Sequence, residues 1–539
     1  MNRLTTNLKY RLCALAACTL FFASGVIFLP HLGLQNDEAI FGDALFEPKA
    51  ITYLVKLGHS RFPLMLMTYL GTLKSWIYRP IFHWMDTGIW AIRFPMLLAG
   101  TATIWLFYAF LSRVAGRRAA LFGCSLLAVD SLYLLTLCFD WGPVALQHLL
   151  LAGGSLLLVG FYQTGSHRQL GWGWALMGLA MWDKALAVWM LAGMGLATAI
   201  VLNKQIVRVM TLRRVAISVI CFCLGALPLL IYNVNNHFAT FRGNAAWDAH
   251  DIPGKARLLA ATADGHALFG WLVNEDWQTP KPHVPRSTLT GISAGISSIA
   301  ESPRHNLMLY AFVLALLLTP LARGGALKAI LWALLAITIA WVQMALTANA
   351  GGSSHHAILL WPLPEMVVAI SFAAASRRLK GAGVPVLAAV LTIMMISSLL
   401  VTNEYYWRMR RNGGAMNWTD AIFPLSDYMR TARASNIFSV DWGIMDSLRL
   451  LNRGKLPLRL GTDPISKPEL TDGDREFLAK MIDSPDHVFI NHTKNFEFFT
   501  DVNAKLVKYA EAAGYRRQVE AVVPDSNGRP VYEIYRFVR

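Results

Sequence analysis

Residues 31–43 have the sequence HLGLQNDEAIFGD, in which the acids Asp37 and Glu38 are adjacent, and they directly follow an apolar run over residues 12–30. A run of that length is long enough to cross a membrane. Two acids held at the mouth of a membrane bundle are costly to desolvate, so their position points to catalysis or metal binding. The alternative is a pair of solvated loop acids beside a membrane surface.

The rest of the chain repeats this pattern of apolar runs separated by short basic turns. Of its 539 residues, 55% are hydrophobic and only 15% are charged, which is typical of a polytopic α-helical membrane protein. Apolar runs of about 20 residues predict about eleven spans, of which one is unusually short. The spans lie near residues 12–30, 90–112, 119–138, 142–162, 171–182 (the short one), 185–202, 215–233, 306–322, 329–347, 356–375 and 383–402.

The basic residues predict the orientation of the chain. Lys and Arg are frequent in the turns on the side of the N-terminus, whereas the short turns of the opposite set, 139–141, 183–184 and 348–355, contain only Lys184. Because cytoplasmic loops are rich in Lys and Arg, we expect a cytoplasmic N-terminus, and an odd number of spans places the C-terminus outside. The net charge of +16 has the same explanation, so no nucleic acid partner is predicted.

Two polar segments of the predicted membrane domain, residues 1–402, face outward in this topology. Residues 31–89 form the first external loop, in which 61–79 combine apolar residues with Trp, Tyr, Lys and Arg. This composition suits a helix lying in the membrane interface, either beside a lipid substrate or as a simple anchor. Residues 234–305 predict a long external loop with short helices, and loops of that length are usually functional.

The last part of the chain, residues 403–539, has the composition of a soluble protein. Alternating and amphipathic patterns predict a small extracytoplasmic α/β domain. Strands are expected from Asn436, His487 and Pro530 onward, and helices over 472–482 and 501–513.

Several motifs in this order carry a resemblance to a known family. Asp37-Glu38-Ala39 in the first external loop, an interfacial segment with a Pro, Arg93-Phe94-Pro95 at the start of the next span, the span number and the external tail resemble the GT-C fold of membrane glycosyltransferases. The most similar group is the protein O-mannosyltransferase and aminoarabinose-transferase superfamily, glycosyltransferase family 39, over residues 10–400. The resemblance implies transfer of a sugar, with inversion, from a polyprenyl-phosphate donor to a hydroxyl-bearing acceptor outside the membrane. It also implies a plasma membrane, as in the bacterial inner membrane.

The resemblance assigns catalytic roles to acids of the external face. Asp37 is the expected general base, with Glu38 as its partner in positioning or metal binding. A weakly nucleophilic hydroxyl needs a carboxylate within hydrogen-bonding reach, and a leaving phosphate needs a cation. Asp140, in the turn Phe139-Asp-Trp-Gly-Pro143, is either a second catalytic acid or a helix cap ahead of the proline.

The expected phosphate ligands are basic residues at the external level. Arg61, Arg93 and Lys184 are candidates to bind the donor phosphate, because Arg in particular suits bidentate phosphate contacts. Their alternative use is contact with the headgroups of membrane lipids.

A divalent metal is a candidate cofactor whose requirement the sequence leaves open. Its ligands would come from Glu38, His59, His355 and His356, since related aminoarabinose transferases hold a metal on the external face. Adjacent histidines point about 100° apart on a helix, so both are not expected to bind one ion there. The chain also departs from the family, because Gly58-His-Ser-Arg-Phe-Pro63 stands where a Glu-Lys-Pro-Pro stretch is often found.

Two other functions remain open on the sequence alone. A transporter or flippase of lipid-linked glycans would place ionisable residues at the bilayer midplane and show paired repeats, neither of which is visible. An assembly subunit with a sensor tail would leave Asp37 and Glu38 unexplained. The acceptor could be a lipid, a glycan or a protein, and neither it nor the sugar is fixed by the sequence.

Overall fold

The structure is a computed structural model that describes residues 2–58, 60–279, 282 and 287–539. A helical bundle leads into a smaller part with a mixed sheet. The helices up to the end of the bundle are α1 (Asn2–Phe28), α2 (Asn36–Asp43), α3 (Leu73–Trp84), α4 (Ile89–Val114), α5 (Arg117–Val129), α6 (Ser131–Cys138), α7 (Val144–Thr164), α8 (His167–Asp183), α9 (Ala187–Val201), α10 (Asn203–Val209), α11 (Leu212–Gly225), α12 (Leu227–Asn235), α13 (Ala239–Asn244), α14 (Ile252–Ala263), α15 (Thr288–Ile299), α16 (Met308–Leu318), α17 (Gly325–Ala345), α18 (Ser354–Ala357), α19 (Leu363–Ser376) and α20 (Gly383–Asn412).

The length and apolar character of these helices confirm a multi-pass membrane protein. Five helical stretches within the described residues could cross a membrane, and up to eight if each bent pair counts as one span. The predicted span 119–138 is such a pair, bent by 57° where α5 ends and the Asp130 side chain accepts a hydrogen bond from Tyr133 N to cap α6. The structure has fewer candidate spans than the eleven predicted from the sequence, and the number of spans and the orientation of the termini stay predictions.

The sequence signals for helix ends agree with the structure between α7 and α8. Gly165 adopts a left-handed conformation (φ 73°) directly after α7, and the side chain of Ser166 accepts a hydrogen bond from Gln169 N at the start of α8. Glycine takes this conformation without strain, and serine is a preferred N-cap. The predicted short span 171–182 makes up most of α8, which ends at Asp183.

The first external loop differs from the prediction in one element. Residues 61–79 were expected to form one interfacial helix, but Tyr53–Leu57 (β1) and Ser60–Met65 (β2) form an antiparallel hairpin, and α3 begins only at Leu73. The carbonyl of Pro63 accepts hydrogen bonds from the Thr72 hydroxyl at 2.6 Å and from the Trp76 indole at 3.0 Å. These bonds tie the hairpin to α3, a tertiary arrangement that the local composition of the segment does not encode.

The C-terminal part has strands that begin at Asn436, His487 and Pro530 and helices over Asp472–Ile482 and Val502–Ala512, where its patterns predict them, together with two strands and two helices that were not predicted. Its helices are α21 (Ile422–Thr431), α22 (Met445–Leu451), α23 (Asp472–Ile482) and α24 (Val502–Ala512), and its strands are β3 (Asn436–Ser439), β4 (Leu458–Leu460), β5 (His487–His492), β6 (Arg516–Pro524) and β7 (Pro530–Val538). The sheet has the order β4-β3-β5-β7-β6, with β3 parallel to β4 and β5 and with β7 antiparallel to β5 and β6. Because α20 continues to Asn412, a boundary at residue 403 falls inside a helix.

Candidate functional site

The acid pair of the first external loop lies at the start of the short helix α2. The side chain of Gln35 caps this helix by accepting a hydrogen bond from Asp37 N at 2.6 Å. Acids in the first turn are favourable because of the positive end of the helix dipole. The two acids nevertheless have different surroundings: Asp37 is half-buried, whereas the side chain of Glu38 is only 2% exposed.

The carboxylate of Asp37 makes no ion pair within 4.0 Å with any described residue. Burial raises its pKa to about 6, and the charge of Lys184 opposes that rise. Burial also raises the pKa of Tyr69, and the charge of Asp37 adds to that rise, so Tyr69 is a neighbour of the acid that the sequence did not single out. A carboxylate that is only partly solvated and has no counterion bound to it is suited to accept a proton.

Glu38 forms a buried bidentate ion pair with Arg93 of α4. The Arg93 Nε donates to one carboxylate oxygen at 2.6 Å and Nη2 donates to the other at 2.9 Å. The remaining donors of Arg93 bind backbone carbonyls, Nη1 those of Leu29 and His31 at 3.0 Å and Nη2 that of Gly33 at 2.7 Å. Arginine has five N–H groups, so all of them are engaged.

This geometry does not fit the roles expected for the pair. A phosphate would find no free donor on Arg93, and a metal at Glu38 would have to displace a buried guanidinium. The two residues instead fix the chain between α1 and α2, immediately before Asp37. Burial raises the pKa of Glu38, while the charge of Arg93 counteracts the rise.

Asp140 occupies the turn before α7 and is also buried. One of its carboxylate oxygens accepts hydrogen bonds from Val144 N at 2.6 Å and Ala145 N at 3.1 Å, and the other pairs with Lys74 of α3 at 2.9 Å. Asp140 therefore caps α7, which is the second of its two expected roles. It also pairs with a buried lysine that the sequence did not indicate as its partner. Both oxygens are engaged, so the expected role as a second catalytic acid does not fit.

Lys184 directly follows α8 and is buried near Asp37. Its ammonium donates to the carbonyl of Gly142 at 3.0 Å, and its own carbonyl accepts a bond from the Gln147 amide at 2.8 Å. Burial lowers its pKa to about 8, while the charges of Asp37, Asp140 and Asp183 raise it. An ammonium has three donors, and this geometry leaves capacity for an anionic ligand.

The two histidines of α18 lie beside the turn that contains Asp140 and Gly142. The Nδ1 of His355 accepts a hydrogen bond from the Trp141 indole at 2.8 Å and lies 2.7 Å from the Ser353 hydroxyl. A Cβ at position 142 would come within 2.6 Å of His355, so only glycine allows this packing. Burial lowers the pKa of His355, which keeps the ring neutral at the pH of a cell.

The expected metal ligands do not come together in the part of the chain that the structure describes. Glu38 is bound by Arg93, His355 by Trp141, and His59 lies outside the described residues. His356 lies next to His355, with ring centroids 4.2 Å apart, and its buried Nδ1 has no hydrogen-bond partner among the described residues. A different group of three ligand-type residues, Asp264, His266 and His305, lies elsewhere on the molecule.

Arg61, the third expected phosphate ligand, lies on β2 in the wall of an open cleft of about 460 Å³. The cleft lies between the hairpin, α3 and the C-terminal part of the chain. Its walls combine apolar and basic side chains, notably Phe46, Leu54, Trp76 and Arg79. Arg61 is therefore separated from the buried group around Asp140 and belongs to an amphipathic surface.

The C-terminal part of the chain covers the helix that carries Asp37. Arg449 of α22 forms an ion pair with Asp43 at the end of α2 at 3.0 Å. The hydroxyl of Ser447 donates to Leu34 O at 2.8 Å, just before α2. The position of Asp37 thus depends on residues more than 400 positions away in sequence, which no local motif reveals.

Comparisons with known proteins confirm the resemblance. Residues 71–232 match the family model described as dolichyl-phosphate-mannose-protein mannosyltransferase. No curated protein matches the chain by sequence. The fold is similar to that of ArnT from Cupriavidus metallidurans bound to undecaprenyl phosphate, with a TM-score of 0.58, 14% identity and coverage of 97% of each chain.

The same fold extends to a second group of solved structures. The archaeal oligosaccharyltransferase AglB from Archaeoglobus fulgidus, in complex with an inhibitory peptide and a dolichol-phosphate, matches with a TM-score of 0.53 and 12% identity over 99% of this chain and 74% of the other. A complex of the A. fulgidus enzyme with Zn and sulfate has a TM-score of 0.52 and 12% identity, over 89% and 68%. The GT-C fold is therefore shared.

Proposed function

We propose that this protein transfers a sugar from a polyprenyl-phosphate donor to a hydroxyl-bearing acceptor on the external face of the membrane, with inversion. The observation that carries the proposal is the half-buried carboxylate of Asp37, which has no ion-pair partner among the described residues and lies near the buried cation of Lys184. The shared fold with a protein bound to undecaprenyl phosphate supports the donor class.

In this mechanism Asp37 is the general base. Its carboxylate accepts the proton of the acceptor hydroxyl as the hydroxyl oxygen forms a bond to the anomeric carbon. The bond between that carbon and the phosphate oxygen breaks, and the polyprenyl phosphate leaves with the electron pair. A positioned base of this kind contributes about 100- to 10,000-fold to a rate.

Lys184 supplies the positive charge for the leaving phosphate. Charge on the phosphate increases as the bond breaks, so a buried ammonium stabilises the transition state more than the ground state. Arg61 is not assigned to this phosphate, because it lies in the amphipathic cleft that is separate from the group around Asp140. Glu38, Arg93, Lys74 and Asp140 are positioning residues, because their polar atoms bind each other and the backbone.

The proposal is tested by sugar transfer from radiolabelled polyprenyl-phosphate sugars by the purified protein, with lipid, glycan and protein acceptors. Label that reaches an acceptor establishes the transferase, and loss of transfer with a chelator establishes a metal requirement. The alternative is a flippase of lipid-linked glycans. Movement of the donor across vesicles without transfer would favour it and reject the proposal.

The shifted pKa values of Asp37 and Lys184 predict a bell-shaped pH dependence of kcat/KM. Asp37 must be ionised, so activity rises as the pH increases through about 6, and Lys184 must be charged, so activity falls as the pH increases through about 8. In Lys184→Met the alkaline limb should disappear and KM for the donor should increase. The acid limb should move to higher pH, because the charge that lowers the pKa of Asp37 is gone.

A pH profile of wild type, Lys184→Met and Lys56→Met measures this directly. Lys56 is an exposed lysine of β1, so its variant should keep the wild-type profile. An unchanged alkaline limb in Lys184→Met would show that another group titrates there and that Lys184 does not contact the phosphate.

A further inference from the structure

A second group of ionisable side chains lies outside the proposed catalytic site. Asp264 directly follows α14, His266 is two residues further, and His305 precedes α16. The Nδ1 atom of His266 lies 2.5 Å from one oxygen of the Asp264 carboxylate, and the Nδ1 atom of His305 lies 3.0 Å from the other. The two imidazole rings are 4.4 Å apart between centroids.

This set has the composition and the spacing of a transition-metal site. Two histidines and one carboxylate are ligands of Zn²⁺ in many proteins, with metal–ligand bonds of about 2.0–2.2 Å. One ligand atom from each of the three residues lies within 4.8 Å of the others. Because the His266 and His305 side chains are 39% and 58% exposed, they have room to adjust around an ion.

The backbone around the three residues is fixed before any ion binds. Asn306 N donates to the carbonyl of Asp264 at 2.7 Å, and the Tyr405 hydroxyl of α20 donates to the carbonyl of Gly265 at 2.7 Å. The first bond brings the two ends of the segment 264–306 together, and the second ties one of these ends to α20. The ligands are therefore already gathered, which lowers the entropy cost of binding.

The charge balance also favours a cation. Arg304 is the nearest basic neighbour in sequence, and its guanidinium is bound by both oxygens of Glu275, at 2.9 and 2.7 Å. The carboxylate of Asp264 is accordingly matched only by two imidazoles among its side-chain partners in the described residues. A bound metal ion would replace the protons that these imidazoles share with the carboxylate.

We propose that Asp264, His266 and His305 bind a divalent transition-metal ion of the Zn²⁺ class, which adds a second link between the two ends of the external segment 264–305. Three protein ligands leave a fourth position open to water on the exposed side of the cluster. The residues of this site are not the metal ligands expected from the sequence. Metal binding here does not depend on the proposed sugar transfer.

The test is zinc binding by the full-length protein in detergent after its metal has been removed. Zinc content by mass spectrometry and competition with a chromophoric chelator give stoichiometry and affinity. We expect about one ion per chain in wild type. His266→Gln and His305→Gln should each weaken binding by at least about 10-fold, since even loss of an outer-shell partner has that effect.

His250→Gln is the matched control, because His250 is an exposed histidine of the predicted external loop 234–305 that lies outside the cluster. Zinc should also slow tryptic cleavage between residues 267 and 303 in wild type but not in His305→Gln. A metal-free wild type that binds no zinc at micromolar concentrations overturns the proposal. Zinc bound equally by wild type and both cluster variants would place the ion elsewhere, and binding without protection would reject the second link between the two ends.

Discussion

Replacement of Asp37 by Asn is expected to reduce sugar transfer by about 100- to 10,000-fold while the protein remains folded. The amide cannot accept the proton of the acceptor hydroxyl, and the side chain keeps its size. No described residue forms an ion pair with Asp37, so the substitution breaks no direct ion pair, and its only electrostatic cost is the loss of a compensating charge near the buried ammonium of Lys184. Single-turnover transfer rates at saturating donor measure the effect on the chemical step.

Two carboxylates of the same region serve as controls for this variant. The side chain of Asp86 is 98% exposed and, within the described part of the chain, pairs only with Arg453 at the surface, so Asp86→Asn should keep wild-type activity. Asp43 is buried and pairs with Arg449, so Asp43→Asn should lower thermal stability before it affects the chemical step. Transfer by Asp37→Asn within a few fold of the wild-type rate would exclude Asp37 as the base.

Much of the architecture could be predicted because local patterns of apolar and polar residues encode it. Apolar runs predicted the membrane helices, and alternation predicted the strands around Phe438, Phe489 and Tyr535. The acid pair was found because polar residues directly after a membrane span are unusual. The bend at Asp130 was not predicted, since a side-chain cap within an apolar run changes hydropathy very little.

The partners within the site could not be predicted from the sequence. Asp37 and Glu38 are neighbours with the same chemistry, and only the position of Arg93 on another helix separates their roles. Lys74 pairs with Asp140 across 66 positions, so neither residue indicates the other. Similarly, Asp264 and His305 are brought together by the fold of a long segment whose composition predicted only a loop.

Variants of Glu38 and Arg93 can distinguish two roles for Arg93. The residue either stabilises the fold or binds the donor phosphate. The side chains are 2% and 1% exposed, and Arg93 also holds three backbone carbonyls before α2. Removing one partner of a buried ion pair leaves an uncompensated charge, which costs about 3–5 kcal/mol. Arg93→Met and Glu38→Gln are therefore expected to lower the free energy of unfolding, the first by about that amount.

The double variant Glu38→Leu/Arg93→Met should recover part of this loss, because no buried charge remains, but the three carbonyls stay without their donors. Chemical unfolding in detergent measures stability, and donor binding at a temperature where all variants are folded measures ligand contact. Arg242→Met, at an exposed site on α13, should leave both unchanged. If Arg93→Met instead kept its stability and lost donor affinity, Arg93 would bind the phosphate as the sequence alone suggested. We expect the opposite, since a guanidinium whose five N–H groups already bind protein oxygens can contact a phosphate only by giving up the bonds that position α2.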